Sequence, residues 1–374
     1  MIATEPVVTP YTELGRLYGE LLTSHGVPAA MLTHKWQPGD LLAPHSDIDV
    51  RIVLEELPDC WREWNEQLAA AHHQAVAQAL SHRRLLEHPP GFAFTTQELD
   101  SGLVAPPELA TWGLITGSHR RLERWRARAH MAPWGPSDES FYRGILTARI
   151  DGAYRVDLDS TDNVHHDLDG YLRHCVAWHY VAPCWFAAAA LATRTRVPGK
   201  SAAMHQWHPG ELKPLAEALL QYTQQGADLL PVADRLYAAQ ATVDTLLRHI
   251  PPASPASAAT PPAGGPLAPA AAWVMAAGML RVRAARWIYY LAPPPETATG
   301  YLIAREEKEL RTVRKTLLRL ADADTLPGAD RRLAVAMCEL VPDGPTTAAS
   351  LRALLDRWRQ RTSVVEEFLS THPA

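Results

Sequence analysis

"APHSDIDVRIVLEE", residues 43 to 56, puts Asp47 and Asp49 two apart at the head of an otherwise apolar run. A strand alternates its side chains, so both carboxylates point to one face while Ile48, Val50, Ile52 and Leu54 fill the other. Carboxylates held together on rigid backbone repel unless something positive joins them. A divalent cation is one candidate; the other reading is a solvated turn where the strand begins. Arg51 follows on the same face, either paired with a nearby carboxylate or marking a face that stays wet.

Working outward, "YTELGRLYGELLTS" (11–24) carries Leu14, Leu17, Tyr18, Leu21 and Leu22 at helical spacing, and "HGVPAAML" then turns into a strand. After the two-aspartate strand, Pro58 and Asp59 open a helix, with Asp59 as its N-cap and Trp61, Trp64, Leu68, Ala71, Ala75 and Ala79 on its apolar face. "FAFTTQEL" (92–99) has the β-branched and aromatic content of a third strand. Helix, strand, strand, helix, strand describes a small mixed α/β unit. Between 105 and 160 a helix is expected at "HRRLERWRARAHM", with a basic, solvated face, and a strand at "AYRVDLD". From 165 the pattern turns helical, with further helices over 209–225, 228–249, 270–291, 300–321, 328–341 and 346–370.

Residues 251–269, "PPASPASAATPPAGGPLAP", are Pro, Ala, Ser, Gly, Thr and Leu without charge and read as a linker. The expected organisation is an α/β domain over 1–160, a helical domain over 161–250, that linker, and a C-terminal helical region over 270–374.

At 374 residues and 47% hydrophobic, the chain has enough apolar material for a packed core. A net charge of −5 argues against a protein that lives on nucleic acid. "MIATEPVVTP" lacks the pattern of a signal peptide, and "AAAWVMAAGML" (270–280) is too short and too quickly followed by arginine to span a bilayer. Cys60, Cys175, Cys184 and Cys338 contain no CxxC pair and read as reduced thiols. The expectation is a soluble cytoplasmic protein. "HHDLDGYLRH" (165–174) offers His165, His166, Asp167 and His174, which read better as the start of a helix than as metal ligands.

The two-aspartate strand in this setting resembles the nucleotidyltransferase superfamily of the DNA polymerase β type. That family carries a Gly-Ser turn, a short glycine-containing loop, then Ser-Asp-hydrophobic-Asp-hydrophobic; "GDLLAPHSDIDVRIV" supplies Gly39, Ser46, Asp47, Ile48, Asp49 and Val50. The resemblance implies an α/β (α+β) nucleotidyltransferase domain with a mixed sheet, followed by mostly α-helical domains. It also implies two Mg²⁺ ions and an NTP as co-substrate, with Asp47 and Asp49 as metal ligands. A third carboxylate, as metal ligand or general base, is placed at Glu98, with Asp100 beside it and Asp157 and Asp159 in "YRVDLDS" as the runner-up.

Where the family has Gly-Ser, this chain reads "THKWQPG" (33–39), and Lys35 is the candidate for holding phosphate by charge. A second stretch, "ATRTRVPGKSAAMHQWHPGELKPLAEALLQY" (192–222), resembles aminoglycoside nucleotidyltransferases through Lys200, Ala202, Ala203, Trp207 and Tyr222. It implies that Lys200, with Arg194 or Arg196, reaches the triphosphate. The expected reaction moves a nucleoside monophosphate to a hydroxyl of a small molecule, such as an aminoglycoside, and releases pyrophosphate. The alternative is a catalytically degenerate relative that binds a nucleotide or a partner.

Overall fold

The computed structural model describes residues 10–37, 40–41, 46–79, 86, 90–102, 104–150, 180–225, 232–253, 283–293, 300–322, 324, 327–341 and 344–371. The first unit runs α1 (Pro10–Ser24), β1 (Ala29–Lys35), β2 (Val50–Leu54), α2 (Trp61–Gln78), β3 (Phe92–Thr95), α3 (Thr96–Ser101), α4 (Pro106–Ala110), β4 (Trp112–Thr116) and α5 (His119–Met131). The strands form one mixed sheet in the order β3-β2-β1-β4. β1 is antiparallel to both neighbours, whereas β2 and β3 are parallel.

Alternation along β2 divides the sheet's two faces. Ile48, Val50, Ile52 and Leu54 enter one core with α1 and α2, while Val53 joins Met31, Trp112, Leu122 and Trp125 in another beneath α5. Every residue of β2 is buried, as expected of a central strand covered on both sides. Each fully buried Val, Leu or Ile of this strand is worth about 1.5–3 kcal/mol. Gly91 makes the parallel start of β3 possible: its φ is +112°, and a Cβ there would lie 2.9 Å from the carbonyl oxygen of Val50.

A helical unit follows: α6 (Pro136–Ile150), α7 (Ala182–Thr193), α8 (Lys200–Gln206), a short 3₁₀ turn (Gly210–Leu212), α9 (Lys213–Gln225) and α10 (Val232–Arg248). α7 is apolar on all sides and is buried from Ala182 to Leu191, so it forms the centre of this core. The strand expected at "AYRVDLD" and most of the 251–269 linker lie outside the described residues.

The C-terminal helices are α11 (Ala284–Leu291), α12 (Gly300–Ala321), α13 (Gly328–Cys338) and α14 (Ala348–Thr371). They share the core of the sheet and α2, so this region covers a face of the α/β unit. The backbone N–H of Ala285 donates to Asn65 Oδ1 (2.9 Å), and the Tyr289 ring meets His72 at 4.8 Å. Arg283, Arg286, Glu306 and Glu309 form an ion-pair network with Glu306 1% exposed. Arg286 also stacks on Phe92 at 4.6 Å, and Arg51 stacks on the same ring at 4.9 Å.

Two local expectations need correction. The N-cap of α2 is Cys60, not Asp59, and the Trp61 N–H donates instead to Glu366 Oε1 of α14 (3.3 Å). The run "FAFTTQEL" is strand only to Thr95, after which the chain becomes α3. Among the described residues, no helix is long and apolar enough to cross a membrane.

Candidate functional site

At the end of β1 the backbone of Trp36 turns left-handed, with φ of 78°. That conformation is costly for a bulky residue and is maintained only where packing fixes it. Here the ring is 8% exposed and meets Phe186 of α7 edge-on at 5.0 Å. Lys35 and Lys200, one from the sheet and one from the helical unit, both come to this ring. Lys35 Nζ lies 5.1 Å and Lys200 Nζ 4.3 Å from its centroid. Lys35 Nζ is also 5.2 Å from the Phe141 ring. An aromatic face offers partial compensation to a desolvated ammonium.

The Lys35 N–H donates to the Asp49 carbonyl (3.0 Å), and the Asp49 carboxylate attracts the ammonium groups of both lysines. Burial lowers the pKa of Lys35, with Glu108 and Asp49 opposing and Arg51 and Arg149 adding to the fall. Burial takes Lys200 down to about 8, against the attraction of Asp40 and Asp49. The site therefore holds two ammonium groups that gain from an arriving anion.

Arg51 projects on the Asp49 side of β2 and is 6% exposed. Its Nε and NH2 donate to Glu108 Oε1 at 2.8 and 2.7 Å, and its NH1 donates to the Asp49 carbonyl at 3.1 Å. Trp112 Nε1 donates to the same Glu108 oxygen (3.2 Å), and Lys35 Nζ lies 3.7 Å from Glu108 Oε2. Burial alone would raise the Glu108 pKa, yet Arg51 and Lys35 bring it to about 2. Glu108 is thus a fixed anion rather than a proton carrier near neutral pH.

Asp40 ties the loop after β1 to the helical unit. Its carboxylate accepts from the backbone N–H groups of Lys200 (3.0 Å) and Ser201 (2.7 Å) at the first turn of α8. Gly199 allows this approach, since a Cβ there would stand 1.9 Å from Asp40 Oδ2. Lys200 is positioned over Trp36 by this contact.

Asp47 and Asp49 are half-buried on either side of the buried Ile48, and Asp47 Oδ2 is shut off from solvent. The Ser46 carbonyl accepts from Tyr11 OH (3.0 Å), anchoring the segment to α1. Gly39, Asp157, Asp159, His165, His166, Asp167 and His174 lie outside the described residues.

Glu98 is not brought to the aspartates. It is the N3 residue of a capping box on α3, accepting from Thr95 N–H (2.6 Å) and Thr95 Oγ1 (2.9 Å). Because Leu54 pairs with Thr95, Glu98 stands beyond the far end of β2 from Asp49. Asp100 is likewise committed elsewhere, accepting from Trp125 Nε1 (2.7 Å) and Arg124 (3.3 Å).

Arg196 is also remote from phosphate duty. It chelates Asp138, with NH2 at 2.7 Å from Oδ2, and donates to the carbonyls of Ala129 (2.6 Å) and Pro133 (2.9 Å). Its side chain is 4% exposed. Arg194 ends α7 in a left-handed conformation, Trp207 ends α8, and Tyr222 falls within α9.

The residues missed by sequence reading are Glu108, Trp36, Asp40 and Arg149. One signal was present for Glu108: a charged Arg51 on a buried strand requires a carboxylate partner.

Among the described residues, no group of three or more His, Cys, Asp or Glu side chains is arranged to hold a metal ion. The donor set still fits Mg²⁺ carried in by a nucleotide, because that ion commonly takes one or two protein carboxylates together with substrate phosphates. Asp47 and Asp49 are the residues that would hold it. No protein-family model matches this chain, and comparisons with curated proteins and with solved structures return no match.

Proposed function

We propose that this chain is a Mg²⁺-dependent nucleotidyltransferase acting from an NTP on a small-molecule acceptor. The observation that carries the reading is the meeting of Lys35 and Lys200 over Trp36, beside Asp49. Buried cations drawn from two units, next to a carboxylate pair, suit a triphosphate that must be both held and charge-compensated.

Mg²⁺ on Asp47 and Asp49 would supply charge neutralisation of the phosphates. Lys35 and Lys200 bind phosphate oxygens, Arg51 and Glu108 keep Lys35 and the Asp49 backbone in place, and Asp40 keeps Lys200 in place. The acceptor hydroxyl oxygen bonds to the α-phosphorus, the bond to the bridging oxygen breaks, pyrophosphate leaves, and the hydroxyl proton is released to water. A cationic acceptor such as an aminoglycoside suits the acidic chain.

One observation favours a second reading, a nucleotide-binding protein without turnover. Glu98 and Asp100 are committed to α3 and α5, and Glu108 is committed to Arg51. A single experiment separates the two. Each NTP is titrated with Mg²⁺ by calorimetry, and pyrophosphate release is followed with aminoglycoside acceptors. Binding with release supports the transferase, binding without release supports the second reading, and no binding overturns both.

A further inference from the structure

The loop from β2 to α2 and a cleft among the C-terminal helices are opposite in charge, and each carries an exposed apolar side chain. The loop reads Glu55-Glu56-Leu57-Pro58-Asp59 and rims a surface depression against Gly26 and Gln67, with Leu57 46% exposed at its middle. Glu55 pairs with Arg121 of α5. Glu56 and Asp59 make no ion pair among the described residues, and Glu63 in the first turn of α2 adds to the negative charge.

The cleft lies between α12, α13 and α14 and encloses ≈ 710 Å³. Arg314, Arg357 and Arg361 line it, against one carboxylate, Glu339. Its apolar lining includes Leu340, Val341 and Val335, the last 53% exposed. The arginines are held in place: Arg357 NH1 donates to the Glu339 carbonyl (3.2 Å), Arg361 pairs with the Glu339 carboxylate, and Arg314 NH1 donates to the carbonyls of Cys338 (3.1 Å) and Val341 (3.0 Å). A guanidinium has five N–H donors, so these contacts leave capacity on Arg357 and Arg361 for an incoming carboxylate. Leu57 and Val335 are two of the four exposed large hydrophobic residues among those described.

We propose that the occupant is a second copy of this chain, whose acidic loop enters the cleft. Leu57 covers the apolar lining, and Glu56 and Asp59 meet Arg357 and Arg361. The loop and the cleft lie on two sides of one helix. α14 presents Arg359 to Glu66 of α2 (3.4 Å) and Glu366 to the Trp61 N–H, while Arg357 and Arg361 turn into the cleft. A two-fold axis beside α14 therefore places each loop opposite the other copy's cleft, a reciprocal and closed arrangement. Contacts this polar give a roughly micromolar dimer that weakens with salt.

Analytical ultracentrifugation of the full chain tests this. The 41.2 kDa chain should double in mass with rising concentration at about 0.05 M salt and return to monomer near about 0.5 M. Arg357→Glu with Arg361→Glu should weaken the dimer at least ~10-fold, and so should Glu56→Arg with Asp59→Arg, because each juxtaposes like charges. Mixing the two variants should restore a dimer, since each then offers the charge that the other lacks. Leu57→Asp gives an independent loss without touching the arginines. A wild-type chain that stays monomeric, a dimer indifferent to these substitutions, variants that fail to recombine, or assembly beyond a dimer would each overturn the proposal.

Discussion

Replacing Lys200 by methionine should make the protein more stable and a poorer binder of triphosphate at the same time. Lys200 is 4% exposed, and burial brings its pKa from 10.5 to about 8. That fall corresponds to about 3 kcal/mol against the charged form at neutral pH, with the attraction of Asp40 and Asp49 already included. Methionine keeps the packed stem and the backbone N–H that Asp40 caps. Lys200→Met should therefore stabilise the fold by about 1–3 kcal/mol at pH 7.

The pH dependence has a definite sign. Between about 8 and 10.5 the unfolded wild type binds more protons than the folded, so wild-type stability rises with pH across that window. The advantage of the variant is complete below pH 8 and fades toward 10.5. Urea unfolding at several pH values measures this, and calorimetry with Mg²⁺ and NTP should show a loss of about 1.5–3 kcal/mol in binding. A variant that is destabilised at pH 7, or whose advantage does not shrink with pH, refutes the reasoning about burial. Unchanged NTP affinity refutes the role in binding.

Three other outcomes follow from buried polar contacts. Glu108→Gln leaves Arg51 buried without its carboxylate and should cost about 3–5 kcal/mol in denaturant unfolding. Because the folded pKa of Glu108 is depressed to about 2, the wild type's advantage over that variant holds above pH 4.5 and is lost as pH falls through 2. Asp40→Ala removes the acceptor for two backbone N–H groups of α8 and should cost about 1–2 kcal/mol, while Gly199→Ala forces Asp40 away and should lose the same contacts with Asp40 intact. Glu306→Gln breaks the ion-pair network with Arg283 and Arg286 and should lower stability by about 3–5 kcal/mol, with hydrogen exchange rising first in α11 and α2.

What the sequence disclosed was mostly local. The helix expected at "HRRLERWRARAHM" spans His119–Met131, and Ser118 caps it as its side chain permits. Leu310, Val313, Leu317 and Leu320 are buried on one face of α12, with Glu307 paired to Arg311. The apolar face of Ile48, Val50, Ile52 and Leu54 was readable because side-chain alternation depends on nothing beyond the local backbone. But β2 begins only at Val50, so Asp47 and Asp49 lie in the segment before the strand, and Val53 on their side is buried in a core. Glu98 was misassigned although its true role was also local. "TTQE" is a Thr-x-x-Glu capping box, and strand propensity in "FAFTT" concealed it.

The remainder required the third dimension. Lys200 and Arg196 stand four apart in sequence, one opening α8 and one in the segment before it, and only packing decides that one reaches Trp36 while the other binds Asp138. An amphipathic helix shows that it has an apolar face without naming the surface it covers. The C-terminal helices therefore read as an appendage, although they share a core with the sheet.

On the proposed function, charge balance at the site makes nucleotide and metal depend on one another. Lys35, Arg51, Arg149 and Lys200 bring four positive charges, Asp40, Asp49 and Glu108 bring three negative ones, and Asp47 stands two residues from Asp49. A cluster so balanced is tolerable in a folded protein without any ligand. A free triphosphate carries about four negative charges into it and meets Asp47 and Asp49 unscreened, so repulsion offsets what the lysines contribute. Free Mg²⁺ meets two carboxylates but also the field of four nearby cations. Arriving together, metal and triphosphate cancel most of each other's charge, and each is placed against its own partners. The coupling should be about 1–3 kcal/mol and reciprocal, so Mg²⁺ raises NTP affinity by the factor that NTP raises Mg²⁺ affinity. Calorimetric titration of NTP with Mg²⁺ and with EDTA measures one arm, and titration of Mn²⁺ by paramagnetic resonance with and without NTP measures the other. In Asp47→Asn with Asp49→Asn the repulsive term is gone, so NTP should bind in EDTA better than it does to the wild type, and Mg²⁺ should no longer help. Equal NTP affinity with and without metal in the wild type would mean that the aspartates do not face the phosphates, and the carboxylate pair would return to being the head of a strand.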